Sequence, residues 1–199
     1  IAAEAIEASE SAGQPVFTHV FLQGGVGGLA AGVAAYWWEH ADAARPTFIV
    51  VEPEQADCLW QSAVHGQASV AQGTVDSIMA GLACGATSPL AWRFLDSSVD
   101  AFMTVSDDEA ITAMRQLAAG SERDIPVLAG ESGVAGLAAL NQLAANKQQM
   151  AALGLDEHAR VLFISSEGAT APSVYAEATG ETAEAVLARQ QQWLAKQTA

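Results

Sequence analysis

Short apolar runs alternate with longer helix-like stretches along the chain. The runs at 17–22, 47–52 and 160–165 are rich in β-branched and aromatic residues, and shorter strand-like runs lie at 101–105 and 126–129. Strands of this kind, separated by helices, are typical of βαβ units whose parallel sheet is covered on both faces. The pattern predicts an α/β fold with a parallel, Rossmann-like sheet and helices on both faces.

The intervening stretches carry good helix formers. Helices are predicted at 29–40, 55–64, 89–98 and 134–146. Residues 66–88 are rich in Gly, Ser and Thr, which favours a long loop containing a short helix. Ser106 and Glu109 have the spacing of a capping box, so a further helix is predicted to begin after Ser106.

Composition and charge narrow the classes of function. A chain of 199 residues fits one domain, and its net charge of −15 argues against binding to nucleic acid or to an anionic membrane surface. The sequence has no apolar run of about 20 residues. Cys58 and Cys84 form no CxxC motif, and the scattered histidines have no metal-ligand spacing. We therefore expect a cytoplasmic protein without a bound metal.

The glycine-rich stretch QGGVGG lies between a predicted strand and a predicted helix. In this position glycines let backbone N–H groups point inward, and the start of the helix adds partial positive charge, so the loop is suited to bind an anion such as phosphate. Because no Lys or Arg lies in the loop, it does not match the triphosphate-binding GxxxxGK[ST] pattern. A tight turn without a ligand remains an alternative.

A second interpretation is a dinucleotide site. Gly25, Gly27 and Ala30 fit the GxGxxA fingerprint, and Glu52 ends the next predicted strand, where an acid would bind a ribose. Glu52 follows Gly25 by 27 residues, against the usual spacing of about 20. An NAD(P)-binding or other phosphate-binding module without catalysis therefore stays open.

Five motifs together resemble one family. They are GGVGG, VVEPEQADC, GTVDSIMAGLACG at 73–85, GESGVAGL at 130–137 and VLFISSEGAT at 161–170. In this order they are similar to the C-terminal half of the diaminopropionate ammonia-lyases, which are fold-type II pyridoxal-phosphate enzymes related to threonine dehydratase. The resemblance covers nearly the whole chain and implies the tryptophan synthase β-like fold and pyridoxal 5′-phosphate as the cofactor.

The resemblance also implies roles for individual residues. The cofactor phosphate would be held by Gly24, Gly25, Val26, Gly27 and Gly28. Ser165, or its neighbour Ser166, would face the nitrogen of the pyridine ring. A hydroxyl group there leaves the nitrogen mostly unprotonated, which suits β-elimination better than transamination. An ordinary strand-end cap is the alternative role for Ser165.

Other polar residues in these motifs are less specific. Glu131 and Ser132 of GESG are candidates to approach the cofactor ring, although an acid at a helix N-terminus fits Glu131 equally well. The substrate-side loop of the family corresponds to 73–85, where candidate lining residues are Thr74, Asp76 and Ser77. Cys84 is expected to be a packed thiol.

The lysine to which the cofactor bonds has no evident match. Lys147 and Lys196 lie outside the motifs and are expected on the surface. The resemblance implies that this lysine and the assisting acids belong to an N-terminal half, that residues 1–199 are the C-terminal portion of the large cofactor domain, and that this portion alone is inactive. No catalytic residue is assigned here. The whole enzyme would convert 2,3-diaminopropionate, a small amino acid, to pyruvate and ammonia, as a homodimer. An interaction protein is a further alternative.

Overall fold

A computed structural model describes residues 1–13, 17–41 and 45–197 and gives a four-stranded parallel sheet. The strands are β1 (His19–Gln23), β2 (Thr47–Pro53), β3 (Ala101–Val105) and β4 (Val161–Phe163), in the order β3-β2-β1-β4. All five residues of β1 are buried, as are the last six of β2. The two central strands therefore match the continuous apolar runs that predicted them.

Nine helices surround this sheet within the described residues. They are α1 (Ala2–Ser11), α2 (Gly28–Ala41), α3 (Cys58–His65), α4 (Pro89–Ser98), α5 (Asp107–Ala119), α6 (Ala135–Ala144), α7 (Lys147–Leu153), α8 (Pro172–Thr179) and α9 (Ala183–Gln197). A 3₁₀ turn at Ala80–Leu82 lies in the long loop predicted at 66–88. Across the described parts of the chain, no helix has the length and hydrophobicity to cross a membrane.

Successive side chains of the central strands enter two separate cores. Phe21 and Ile49 pack with α5, α6, α8 and α9, whereas Val20 and Phe48 pack with α1 to α4. Side chains alternate between the two faces of a strand, so one short run supplies both cores. The prediction of an α/β fold with helices on both faces is confirmed.

The prediction of a strand at 126–129 is wrong. This segment forms no strand, and the N–H of Val127 instead donates to the carbonyl oxygen of Leu117 at 2.8 Å. Pro126 lacks an N–H group that a neighbouring strand would require. The segment therefore packs beside the end of α5 and carries the chain to the GESG turn.

Candidate functional site

A cavity of about 430 Å³ lies beyond the carboxyl end of β1. Its wall is built from four segments: the glycine loop, the 3₁₀ turn, the GESG turn and the chain that follows β4. The lining residues are Gln23, Gly25, Val26, Gly27, Gly28, Leu29, Gly81, Leu82, Cys84, Ser132, Ser166, Glu167 and Thr170. This is the edge of a parallel sheet at which ligands bind.

The glycine loop forms one wall of this cavity. Among the described residues, none accepts a hydrogen bond from the N–H groups of Gly25, Val26, Gly27 or Gly28. Gly28 begins α2, whose N-terminus adds partial positive charge. No Lys, Arg or His is among the lining residues.

Gly24 differs from the other four loop residues. Its N–H donates to the carbonyl oxygen of Val51 at 2.7 Å, and Gly24 does not line the cavity. A side chain at Gly24 would meet the Cγ atom of Glu52 at 2.6 Å. The structure therefore gives Gly24 a part in packing, and the unpaired N–H groups begin at Gly25.

Gly27 is required by both conformation and space. Its φ of +101° lies in the left-handed region, and a Cβ atom would come within 2.9 Å of the Cδ1 atom of Leu95. Glycine alone adopts this backbone conformation without strain. Gly27 thus turns the chain sharply from β1 into α2 and sets the shape of the loop.

Glu52 lies behind the loop and is fully buried. Its Oε1 accepts the N–H of Leu59 at 2.9 Å, and its Oε2 accepts the N–H of Trp60 at 2.7 Å. Burial raises the pKa of Glu52 to about 8, although the two N–H groups oppose this shift. The predicted alternative in which Glu52 binds a ribose is wrong, because the carboxyl group caps α3 and does not reach the cavity.

The thiol of Cys58 supports the loop from the same side. It is buried, and its Sγ donates to the carbonyl oxygen of Gly25 at 3.4 Å. Burial raises the pKa of Cys58 to about 11, so the thiol remains neutral. Cys84 lines the cavity, and its Sγ lies 3.2 Å from where a Cβ atom on Gly25 would be.

The two candidate serines after β4 have different positions. Both serines are exposed, but only Ser166 lines the cavity, whereas Ser165 donates to the carbonyl oxygen of Glu167 at 3.5 Å. Glu167 also lines the cavity, and its Oε2 accepts the N–H of Ser132 at 2.7 Å. Of the two serines, only Ser166 therefore belongs to the cavity wall.

Of the two candidate residues in the GESG turn, only Ser132 lies in the cavity wall. Ser132 lines the cavity, and its Oγ accepts the N–H of Gly81 at 3.1 Å. Glu131 is buried outside the lining set, and its Oε1 has no hydrogen-bond partner among the described residues. The turn thus joins the 3₁₀ turn to the segment after β4.

The predicted polar residues of the long loop lie away from the cavity. Ser77 donates to Oδ1 of Asp107 at 2.6 Å, and the hydroxyl group of Thr74 donates to Oε1 of Gln55 at 3.3 Å. Neither they nor Asp76 line the cavity, which instead receives Gly81, Leu82 and Cys84 from this loop.

Lys147 and Lys196 are exposed and lie in other surface depressions. In the part of the chain that the structure describes, no three His, Cys, Asp or Glu side chains form a possible metal site.

Gln23 is a lining residue that the sequence analysis missed. It is the last residue of β1 and only 3% exposed, and its Nε2 donates to the carbonyl oxygen of Ile164. Nε2 also lies 3.4 Å from Oγ of Ser166 and 3.5 Å from the carbonyl oxygen of Gly133. The available signal was its position directly before the glycines, at the carboxyl end of a central strand.

Comparisons with known proteins agree with this geometry. Residues 1–167 match the model of a family described as pyridoxal-phosphate dependent enzymes. The chain is 41% identical over 181 residues to a diaminopropionate ammonia-lyase of Salmonella typhimurium, covering 88% of this chain and 45% of that protein. It is 38% identical over 189 residues to one of Escherichia coli, covering 94% of this chain and 47% of that protein. The chain thus spans about half the length of the curated relatives it matches.

A solved structure extends the comparison to the fold. The crystal structure of diaminopropionate ammonia-lyase from Escherichia coli, in complex with an aminoacrylate–PLP azomethine reaction intermediate, matches with a TM-score of 0.80 and 38% identity. The match covers 93% of this chain and 47% of that one. It supports the predicted fold class directly.

Proposed function

This chain belongs to the pyridoxal-phosphate dependent enzyme family, and we propose that it is the cofactor-binding portion of a diaminopropionate ammonia-lyase. The observation that carries the proposal is the set of four unpartnered N–H groups, from Gly25 to Gly28, on a cavity wall without cationic side chains. The identity of 41% to a diaminopropionate ammonia-lyase supports the choice within the family.

Pyridoxal phosphate, the cofactor of the family, fits the residues present. Its phosphate matches the unpaired N–H groups at the start of α2, which donate hydrogen bonds and add partial positive charge. Across the cavity, the hydroxyl group of Ser166 would donate to the nitrogen of the pyridine ring. When bound, this cofactor withdraws electrons from the α-carbon of an amino acid, so that a group on the β-carbon can leave.

The hydroxyl group of Ser166 supports elimination as the reaction. A hydroxyl donates to the ring nitrogen without giving up its proton, whereas an acid would keep that nitrogen charged and favour transamination. The carboxylate of Glu167 also lines the cavity, but its oxygens accept hydrogen bonds from the N–H of Ser132 and the hydroxyl group of Thr170. We therefore assign the ring contact to Ser166, with Ser165 as the alternative.

The covalent link to the cofactor requires an amine that this cavity does not contain. Neither Lys147 nor Lys196 is among the lining residues. Since the chain spans 45–47% of its curated relatives, we propose that it is their C-terminal portion and that another portion supplies the lysine and the proton-transferring acids. The whole enzyme would release pyruvate and ammonia from 2,3-diaminopropionate. A homodimer in the cytoplasm completes the proposal and rests on the sequence alone.

Two glycines of α2 allow a matched test of the anion site. Gly28 and Gly32 both have open space where a Cβ atom would lie, but only Gly28 lines the cavity. Gly28→Asp places a carboxylate beside the bound anion, so we expect at least about tenfold weaker binding of pyridoxal phosphate and of inorganic phosphate by calorimetry. Gly32→Asp should leave both affinities within about twofold. Equal binding by Gly28→Asp and the unsubstituted chain would contradict the proposed site.

A further inference from the structure

We propose that Gln23 is a positioning residue that holds Ser166 so that its hydroxyl proton is available to the ligand. The inference rests on the proposed function, because the ligand group it concerns is the nitrogen of the pyridine ring. Gln23 acts through Ser166 and is not assigned a contact with the reacting atoms.

The carboxamide of Gln23 connects three segments of the cavity wall. It stands at the end of β1, immediately before the glycine loop, and its Nε2 faces Ile164 and Ser166 after β4 and Gly133 of the GESG turn. The side chain of Gln23 is only 3% exposed, so it reaches the exposed Ser166 from the buried side of the cavity wall.

The surroundings of Gln23 fix which end of the amide faces Ser166. Two of the atoms near Nε2 are the carbonyl oxygens of Ile164 and Gly133, which can only accept hydrogen bonds. The NH₂ group must face them, since the carbonyl end of the amide would be repelled. The NH₂ group has two protons, of which one is donated to Ile164, while the other is shared between Gly133 O at 3.5 Å and Ser166 Oγ at 3.4 Å. Because an amide nitrogen does not accept hydrogen bonds, Ser166 Oγ is the acceptor in its contact with Gln23.

This direction determines what Ser166 can offer a ligand. A serine hydroxyl has one proton and two lone pairs, and one lone pair is directed to Gln23. The proton remains free to be donated into the cavity, which suits an unprotonated ring nitrogen and not a protonated one. A distance of 3.4 Å is long for such a bond, and contacts of this kind shorten when the ligand draws on the hydroxyl group.

The carbonyl end of the amide indicates that packing alone does not explain why a glutamine occupies position 23. Its Oε1 is buried and has no partner among the described residues. A buried carbonyl without a partner lowers stability, and an apolar side chain of similar size would avoid that cost. What Gln23 adds over such a side chain is the set of donations from Nε2.

The test compares two ligands and two variants of the chain. Pyridoxine 5′-phosphate carries the ring and the phosphate without an aldehyde, and inorganic phosphate carries no ring. For Gln23→Met and for Ser166→Ala, we expect about 3- to 10-fold weaker binding of pyridoxine 5′-phosphate and unchanged binding of inorganic phosphate. The double variant should bind no more weakly than either single variant, because both changes remove one contact.

Gln61→Met is the matched control. Gln61 is also buried, its Nε2 donates to Oδ2 of Asp57 at 2.6 Å, and it does not line the cavity. This variant should leave the affinity for both ligands unchanged. If Gln23→Met weakens both ligands equally, or if the two losses add in the double variant, the positioning role is overturned.

Failure of the proposed function gives different results. If the unsubstituted chain binds neither ligand, the anion site is wrong and the inference falls with it. If it binds phosphate and the ring adds no affinity, the anion site stands and the role of Gln23 is overturned. Should Gln23→Met not fold, a crystal structure of the unsubstituted chain with pyridoxine 5′-phosphate decides. Ser166 Oγ must then lie within about 3.2 Å of both the ring nitrogen and Gln23 Nε2.

Discussion

Glu52 and Trp60 are joined by a hydrogen bond of 2.7 Å, in which the backbone N–H of Trp60 donates to a carboxyl group that is fully buried. The bond fixes the start of α3 against the end of β2. It also places a titratable group in the interior of the protein, directly behind the glycine loop.

Stability should fall as the pH rises through neutrality. Burial raises the pKa of Glu52 from 4.5 to about 8, so between these values the folded state holds a proton that the unfolded state has lost. The free energy of unfolding therefore decreases across this interval, by up to about 5 kcal/mol if the whole shift is expressed. Urea unfolding at a series of pH values measures the slope.

Glu52→Gln supplies the comparison for this prediction. The amide does not titrate, so the pH dependence of stability in this variant should lack the contribution of Glu52. It should also be less stable below neutral pH, because an amide has one acceptor oxygen where the carboxyl group accepts at two. Identical pH profiles of the two proteins would show that Glu52 does not titrate in this interval.

Gly27→Ala should destabilise the protein by at least about 2 kcal/mol. The residue adopts a φ of +101°, and the added methyl group would meet Leu95 at 2.9 Å. Gly32→Ala, in the exposed middle of α2 with open space around it, should instead stabilise by about 1 kcal/mol. Thermal unfolding measures both, and the expectation fails if the two variants shift Tm in the same direction.

The structure confirms the predicted capping box at the start of α5. Ser106→Ala removes it and should lower the free energy of unfolding by about 1 kcal/mol. The N–H of Glu109 donates to Ser106 Oγ at 3.3 Å, and the N–H of Ser106 donates to Glu109 Oε2 at 2.7 Å. Ser97→Ala, at an exposed hydroxyl group near the end of α4, should change stability by less than about 0.5 kcal/mol. Urea unfolding compares the two, and similar losses would argue against the cap.

The chain alone should release no pyruvate from 2,3-diaminopropionate in the presence of pyridoxal phosphate. Lys147 and Lys196 are exposed and lie outside the cavity. Borohydride reduction followed by mass spectrometry should therefore find no stoichiometric pyridoxyl group on either lysine. Stoichiometric attachment at one of them, prevented by excess inorganic phosphate, would mean that this chain supplies the amine itself.

The sequence was most informative where burial leaves a simple pattern. The run at 47–52 predicts β2 because a strand covered on both faces must be apolar throughout. The run at 126–129 is also apolar, yet it is an irregular segment beside the end of α5. A short apolar run alone does not distinguish a buried strand from such a segment. The glycine loop could be predicted because a cluster of glycines directly before a helix costs conformational entropy and therefore indicates a special backbone conformation.

The chemistry of the individual side chains was harder to predict. An acid at the end of a strand can either bind a ligand or cap a helix. The two roles are distinguished only by the tertiary contact in which the N–H of Leu59, in α3, donates to Glu52. Ser165 and Ser166 could not be distinguished because β4 ends at Phe163, so the alternation of a strand no longer fixes their directions. The position of Gln23 depends on β4 pairing with β1, which local sequence does not specify.

β4 has only three residues, and it pairs with β1 on one side. The cavity lies between the chain that leaves β1 and the chain that leaves β4, so a molecule bound there touches both. Occupancy should therefore slow amide hydrogen exchange in β4, since anything that binds only the folded state reduces how often that region opens. A ligand bound there would therefore stabilise the edge strand of the sheet in addition to its chemical role.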